Sequence, residues 1–186
     1  MRRLFVSVDL DGLADAVRGV QAPLDGVDGL RLTDPEQAHV TLQFLGETDP
    51  DRVDDLVAEL DTPVDGSGVE PFEAQFGGLG VFPSLDYISV VWAGVRDGAG
   101  DRELTALHEA VAARTTAMGF EAADHDFTPH ATIARMDHAG GKERVQEIVG
   151  TEDPDVGRLR VDEIRLTESV LREDGPDYTT VASIPL

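Results

Sequence analysis

The 186-residue chain carries 37 Asp and Glu against 15 Lys and Arg, a formal net charge of -22, and contains no cysteine. The length suits one sizeable domain or two small lobes sharing a core, and the missing cysteines exclude disulfides, thiolate metal sites and cysteine nucleophiles. So large a charge of one sign opposes a broad surface for a polyanion in dilute buffer. In about 1 M salt the Debye length falls to roughly 3 Å, so the acidity reads as the surface of a halophile's protein. No run approaches the roughly 18 apolar residues of a membrane span, and Asp9 comes too early for a signal peptide's apolar stretch. A cytoplasmic protein, away from the membrane, is expected.

Leu4, Val6, Val8 and Leu10 alternate with Phe5, Ser7 and Asp9, a strand pattern at the start of the chain. Leu13, Val17, Val20 and Leu24 then fall at helical spacing. After a loop, residues 38–45 read as a strand. A helix follows near Pro50, with Asp49 as its cap and Val53, Leu56, Val57 and Leu60 as its apolar face. Phe72, Ala74 and Phe76 alternate again, and the breaker-rich residues 77–83 read as a crossing between halves. Beyond it the order recurs: strand 87–95, helix 101–118, strand 128–136 and a short helix 142–149. Residues 159–170 read as one long strand whose apolar phase slips between Val161 and Ile164, a bulge, and residues 178–184 close the chain. This weak duplication predicts one domain over 1–186, with lobe one mainly 1–76, lobe two mainly 86–170, and terminal strands free to exchange between them.

The central strand of each half carries the same small motif, His39-Val40-Thr41-Leu42 and His130-Ala131-Thr132-Ile133. Side chains two apart on a strand share a face, roughly 7 Å from one another, so each half presents one imidazole and one hydroxyl together. With 13 threonines in the chain, two of five histidines gain this partner by accident about one time in twenty or less. If the halves pair about an approximate two-fold axis, the two sets face one another across a groove. There one imidazole takes a proton from water, the other gives one to a leaving oxygen, and the hydroxyls bind the non-bridging oxygens of a phosphodiester. That chemistry needs no metal. The bland alternative is a pair of strand histidines satisfied by neighbouring backbone.

With these motifs in place, the chain resembles the two-histidine phosphoesterase superfamily, and within it the RNA 2′,3′-cyclic phosphodiesterases, long also labelled 2′-5′ RNA ligases. The resemblance spans nearly the whole chain. It includes Arg3-Leu4-Phe5-Val6, the block from His39 to Glu47, Gly78 to Pro83 leading to Val91-Trp92-Ala93-Gly94-Val95, and Phe127 to Arg135. Leu166-Thr167-Glu168-Ser169 with Gly175-Pro176-Asp177-Tyr178 completes it. It implies a bilobal α+β fold of two pseudo-symmetric lobes, each with an antiparallel sheet flanked by helices, and an active groove between them. It also implies hydrolysis of RNA 2′,3′-cyclic phosphate ends to 2′-phosphate with no cofactor, His39 acting as general acid and His130 as general base, Thr41 and Thr132 holding the phosphate. A monomer is expected. In the family, the positions of Phe44 and Arg135, each five places after its histidine, offer a ring and a guanidinium to the terminal base. Strict alternation, however, turns an odd offset to the opposite face.

Two other readings stay open: a non-catalytic binder of nucleotides or RNA ends, and a related catalyst acting on 2′,5′-linked oligonucleotides, small cyclic nucleotides or in ligation. Of the remaining histidines, His108 reads as a packed helix residue. His125, Asp126, Asp137 and His138 match no metal-ligand spacing and read as loop residues. Residues 77–80 lack the Lys and Ser/Thr of a phosphate loop.

Overall fold

The structure, a computed structural model, describes residues 1–186. In chain order the elements are β1 (Arg2–Asp9), α1 (Ala14–Gln21), β2 (Leu30–Leu32), β3 (His39–Thr48), α2 (Val53–Ser67), β4 (Phe72–Pro83), β5 (Ile88–Val95), α3 (Asp101–Ala117), β6 (His130–Met136), α4 (Lys142–Thr151), β7 (Asp155–Val161), β8 (Glu163–Arg172) and β9 (Gly175–Pro185). No helix is long and apolar enough to cross a membrane.

The strands pair antiparallel in the order β7-β4-β5-β6-β3-β1-β8-β9, and β2 adds to β6. Extensive ladders hold β7-β4-β5-β6 together and likewise β3-β1-β8-β9. The two groups meet through a single residue pair, Val40 with Ala131. Beyond that pair β3 leaves β6, and β2 takes up the vacated edge between Leu32–Ala134 and Leu30–Met136. The nine strands therefore form two groups, four in the first and five with β2 in the second, joined at one seam.

The chain weaves between these halves. α2 packs on α3 and β9, and α3 on β3, whereas α1 packs on β6 and β7 and α4 on β4. Thus α1 crosses from β1 to the second half and α3 crosses from β5 to the first, while β4 sits in the second half and β8 and β9 in the first. The helices bury Leu56, Leu60, Leu104, Leu107 and Val111 completely in one core that also holds Leu42 and Phe76. Each such leucine contributes about 1.5–3 kcal/mol relative to exposure. Asp49 caps as its position predicts, accepting the Asp51 amide at 3.0 Å, although a short 3-10 turn (Pro50–Arg52) precedes α2.

Three elements differ from their sequence pattern. Residues 77–83 are not a crossing: they continue β4 in a hairpin with β5, from Gly77–Gly94 to Pro83–Ile88. The glycines are tolerated because Gly78 turns at φ 75° in a bulge and Gly80 lies beneath the Trp92 ring, where a Cβ would overlap the indole. Residues 159–170 are not one bulged strand: the slip after Val161 is where β7 ends in the second half and β8 begins in the first. β2 falls where the sequence reads as loop, because three residues carry no legible period.

Candidate active site

β3 and β6 carry the same burial sequence over their first six residues. The first and third residues are half-buried, the second, fourth and fifth buried, and the sixth exposed. In residues, this presents His39, Thr41 and Phe44 from β3 and His130, Thr132 and Arg135 from β6. Val40 and Ala131, the seam pair, are wholly buried, so their neighbours His39, Thr41, His130 and Thr132 lie around the seam on the opposite face. The two histidines occupy diagonal positions about that pair, a relation that sets side chains about 7–8 Å apart in a regular ladder.

The odd offset of Phe44 and Arg135 is resolved by a bulge in each strand. Opposite β1, Ser7 pairs with Thr41 and Val6 with Gln43, leaving Leu42 as the extra residue. Opposite β5, Trp92 pairs with Thr132 and Val91 with Ala134, leaving Ile133. One inserted residue reverses the alternation beyond it. Phe44, 68% exposed, therefore returns to the face of His39, and Arg135 to that of His130.

Each imidazole is fixed in the same way. The His39 Nδ1 lies 2.9 Å from the Gln37 carbonyl and the His130 Nδ1 2.6 Å from the Thr128 carbonyl. A carbonyl only accepts, so Nδ1 carries the hydrogen in both rings and Nε2 is left for the groove. Aromatic rings brace both. His39 sits 5.0 Å from Phe5 and 5.0 Å from Tyr178, which meets it edge-on at 86°. His130 sits 4.9 Å from Phe82, at 87°, and 5.8 Å from Trp92. Gln37 completes the first support, since its side chain accepts the Tyr178 amide at 2.8 Å.

Burial pushes both imidazoles below their ordinary value of 6.5. The Nδ1 bonds oppose this in both. Beyond them the surroundings differ: the carboxylate of Asp9 favours the charged form of His39, whereas His39, His125 and Arg135 disfavour that of His130. Asp9 is held in place by Arg165, 2.7 Å away, and accepts the Ser7 hydroxyl at 2.9 Å. Arg135 also lowers the His39 value and acts on the Tyr178 phenol, so its charge reaches into the groove from the second half.

The remaining histidines stand apart. His108 is half-buried on α3, with its ring stacked on Phe127 at 4.2 Å. His125 meets Asp124 and His138 lies near Asp28, so the loop residues around 125 and 138 do not form one cluster. Sequence reading assigns no supporting role to the rings of Phe5, Tyr178, Phe82 and Trp92, because they reach the histidines from other strands through pairings that no local period reveals.

The fold and the paired histidine strands define a two-histidine phosphoesterase, and the comparisons agree. A family model described as "2'-5' RNA ligase superfamily" matches residues 10–172. The chain is 34% identical over 183 residues to the RNA 2′,3′-cyclic phosphodiesterase of Methanothermobacter thermautotrophicus, covering 95% of both chains. It is 33% identical over 178 residues to that of Archaeoglobus fulgidus, covering 95% of this chain and 96% of the relative. Among solved structures, the Thermus thermophilus protein TT0787 superposes with a TM-score of 0.80 at 26% identity, covering 99% of this chain and 97% of that one. Escherichia coli LigT complexed with 3′-AMP shares the fold with a TM-score of 0.79 at 22% identity, covering 100% and 98%. The chain belongs to the 2′-5′ RNA ligase superfamily.

Proposed function

We propose that the protein is an RNA 2′,3′-cyclic phosphodiesterase that opens the cyclic end to a 2′-phosphate, with His39 as general acid and His130 as general base. The observation that carries this reading is the duplicated arrangement about the Val40–Ala131 seam: two imidazoles, each with Nδ1 committed to a carbonyl, flanked by two threonine hydroxyls. The names of the relatives support the substrate.

In the reaction, water attacks phosphorus while His130 Nε2 takes its proton. The bond from phosphorus to the 3′ oxygen breaks, and His39 Nε2 donates the proton that oxygen needs. Thr41 and Thr132 hydroxyls donate to the non-bridging oxygens as phosphorus becomes five-coordinate. Exchange with solvent then resets both rings. The assignment of roles is the one the family resemblance implies; the Asp9 carboxylate, which favours the proton on His39 and has no counterpart beside His130, is in keeping with it. Phe44 stacks on the terminal base and Arg135 covers it from the other half.

The test is an oligonucleotide ending in 2′,3′-cyclic phosphate, incubated with the protein in strong salt and EDTA. A 2′-phosphate product, lost in His39→Ala and in His130→Ala, is expected; unchanged turnover in either variant overturns the mechanism.

A further inference from the structure

Phe44 and Arg135 face the groove only because one residue is inserted in each strand, at Leu42 and at Ile133. A bulge takes its extra residue out of register with the partner strand, and that residue's backbone groups need partners elsewhere. The Leu42 carbonyl accepts from His108 Nδ1 at 2.6 Å. The Ile133 carbonyl accepts from Gln21 Nε2 at 3.0 Å, and Gln21 is a polar side chain only 3% exposed. The same amide also reaches the Thr33 carbonyl at 2.8 Å, and the Thr33 amide adds a second donor to Ile133 at 3.0 Å. His108 stands on α3 and Gln21 ends α1, the two helices that cross to the opposite half. Each crossing helix thus delivers one side-chain donor to the bulge of the strand on which it packs. His108 also stacks on Phe127, one residue before Thr128, whose carbonyl holds His130.

We propose that His108 and Gln21 are positioning residues for substrate recognition: they hold the two bulges in place and so keep Phe44 and Arg135 on the groove face. This rests on the reading that those two side chains hold the terminal base. Neither donor touches the reacting phosphate. Without its donor, the bulge in β3 loses the partner that favours it, and a register that pairs Leu42 turns Phe44 toward the core face.

His108→Phe keeps a ring on Phe127 and removes the donor; His108→Asn returns a donor near the position of Nδ1. Two substrates separate recognition from chemistry, a nucleoside 2′,3′-cyclic phosphate and 1-O-methylribose 2′,3′-cyclic phosphate, which has no base. His108→Phe is expected to raise KM for the nucleotide about tenfold, to leave kcat within about twofold, and to leave kcat/KM for the base-free substrate unchanged. His108→Asn restores KM, and Phe44→Ala combined with His108→Phe is no worse than Phe44→Ala alone. An unchanged KM, an equal loss on both substrates, or additive losses overturn the proposal. Phe44→Ala with a wild-type KM shows instead that the base-holding reading has failed. The register itself is then read from NMR contacts: the inference requires Val6 to move from Gln43 to Leu42 in His108→Phe while Ser7 stays opposite Thr41, and a surviving Val6–Gln43 contact overturns it. Gln21→Met leaves the Ile133 carbonyl its Thr33 donor and is expected to have the smaller effect; His108→Leu, which drops the donor and keeps an apolar side chain against Phe127, serves as the test if His108→Phe does not fold.

Discussion

The two halves of the groove share a backbone and differ in nearly everything that touches it. β3 and β6 repeat the same half-buried histidine, half-buried threonine, bulge and exposed sixth residue. Yet His39 has Phe5, Tyr178 and the Asp9 carboxylate for neighbours, while His130 has Phe82 and Trp92 and no carboxylate to offset Arg135, whose charge acts on both rings. Duplicated strands thus supply placement, and the unlike flanking strands supply polarity. A reaction that needs one proton donor and one acceptor requires both parts, since two rings in identical surroundings have no preferred direction of transfer.

The sharpest way to break this comparison is to remove one ring at a time and change the leaving group. His39→Gln and His130→Gln should each lower kcat/KM on a 2′,3′-cyclic phosphate about 10³-fold, within the usual range for one acid or base. On a phosphodiester that releases 4-nitrophenolate, which needs no proton, His39→Gln should recover to within about tenfold of the intact protein and His130→Gln should not. Equal recovery of the two breaks the asymmetry. A smaller effect is expected from Gly80→Ala. The Trp92 indole lies over Gly80, where a Cβ would overlap it, and a Cβ at Gly94 would come within 3.1 Å of the same ring. The displaced ring no longer braces His130, so kcat should fall about tenfold. Because the chain has one tryptophan, a shift in its fluorescence reports the movement directly. The first half has no such glycine platform under Tyr178, so this sensitivity belongs to the second half alone.

What the sequence made legible is local. The His-x-Thr pairs, the cap at Asp49 and the strand or helix character of most segments follow from spacings of two to four residues. The bulges are not legible there: they show only in the structure, where the neighbours Leu42-Gln43 and Ile133-Ala134 are both buried although alternation predicts one residue in and one out. The glycines of residues 77–83 suggest a break because their partner, Trp92, lies on the next strand. Nor does any local pattern show that residues 155–161 and 163–172 belong to different halves, since the one-residue gap at Asp162 looks like a slip within one strand. The donors His108 and Gln21 reach strands 66 and 112 residues away in sequence, a connection that only the crossing of α1 and α3 explains.

Charge gives a third prediction, one that treats both halves alike and so tests whether acidity is separate from the site. At -22, repulsion among carboxylates opposes the compact state in dilute buffer, and molar salt screens it. If this is worth about 2 kcal/mol, the unfolding midpoint rises by roughly 4–8 °C between 0.1 and 2 M KCl. A midpoint that falls over that range refutes the surface-adaptation reading while leaving the histidine pair untouched.

The finest discrimination between the halves is the pH dependence of kcat/KM. With the roles proposed above, the base must be neutral, so the rate rises as pH passes the value of His130; the acid must be charged, so the rate falls as pH passes that of His39. Burial lowers both below 6.5, which places the maximum on the acid side of the ordinary imidazole value. The same shifts make the unfolded chain bind more protons just below 6.5, so native stability declines as pH falls through that value. Two substitutions then move the limbs in opposite directions. Asp9→Asn removes the carboxylate that favours charged His39 and carries the falling limb to lower pH. Arg135→Gln removes a cation that disfavours both charged rings and carries both limbs to higher pH. If Asp9→Asn moves the rising limb instead, His39 is the base and the polarity of the two halves is reversed.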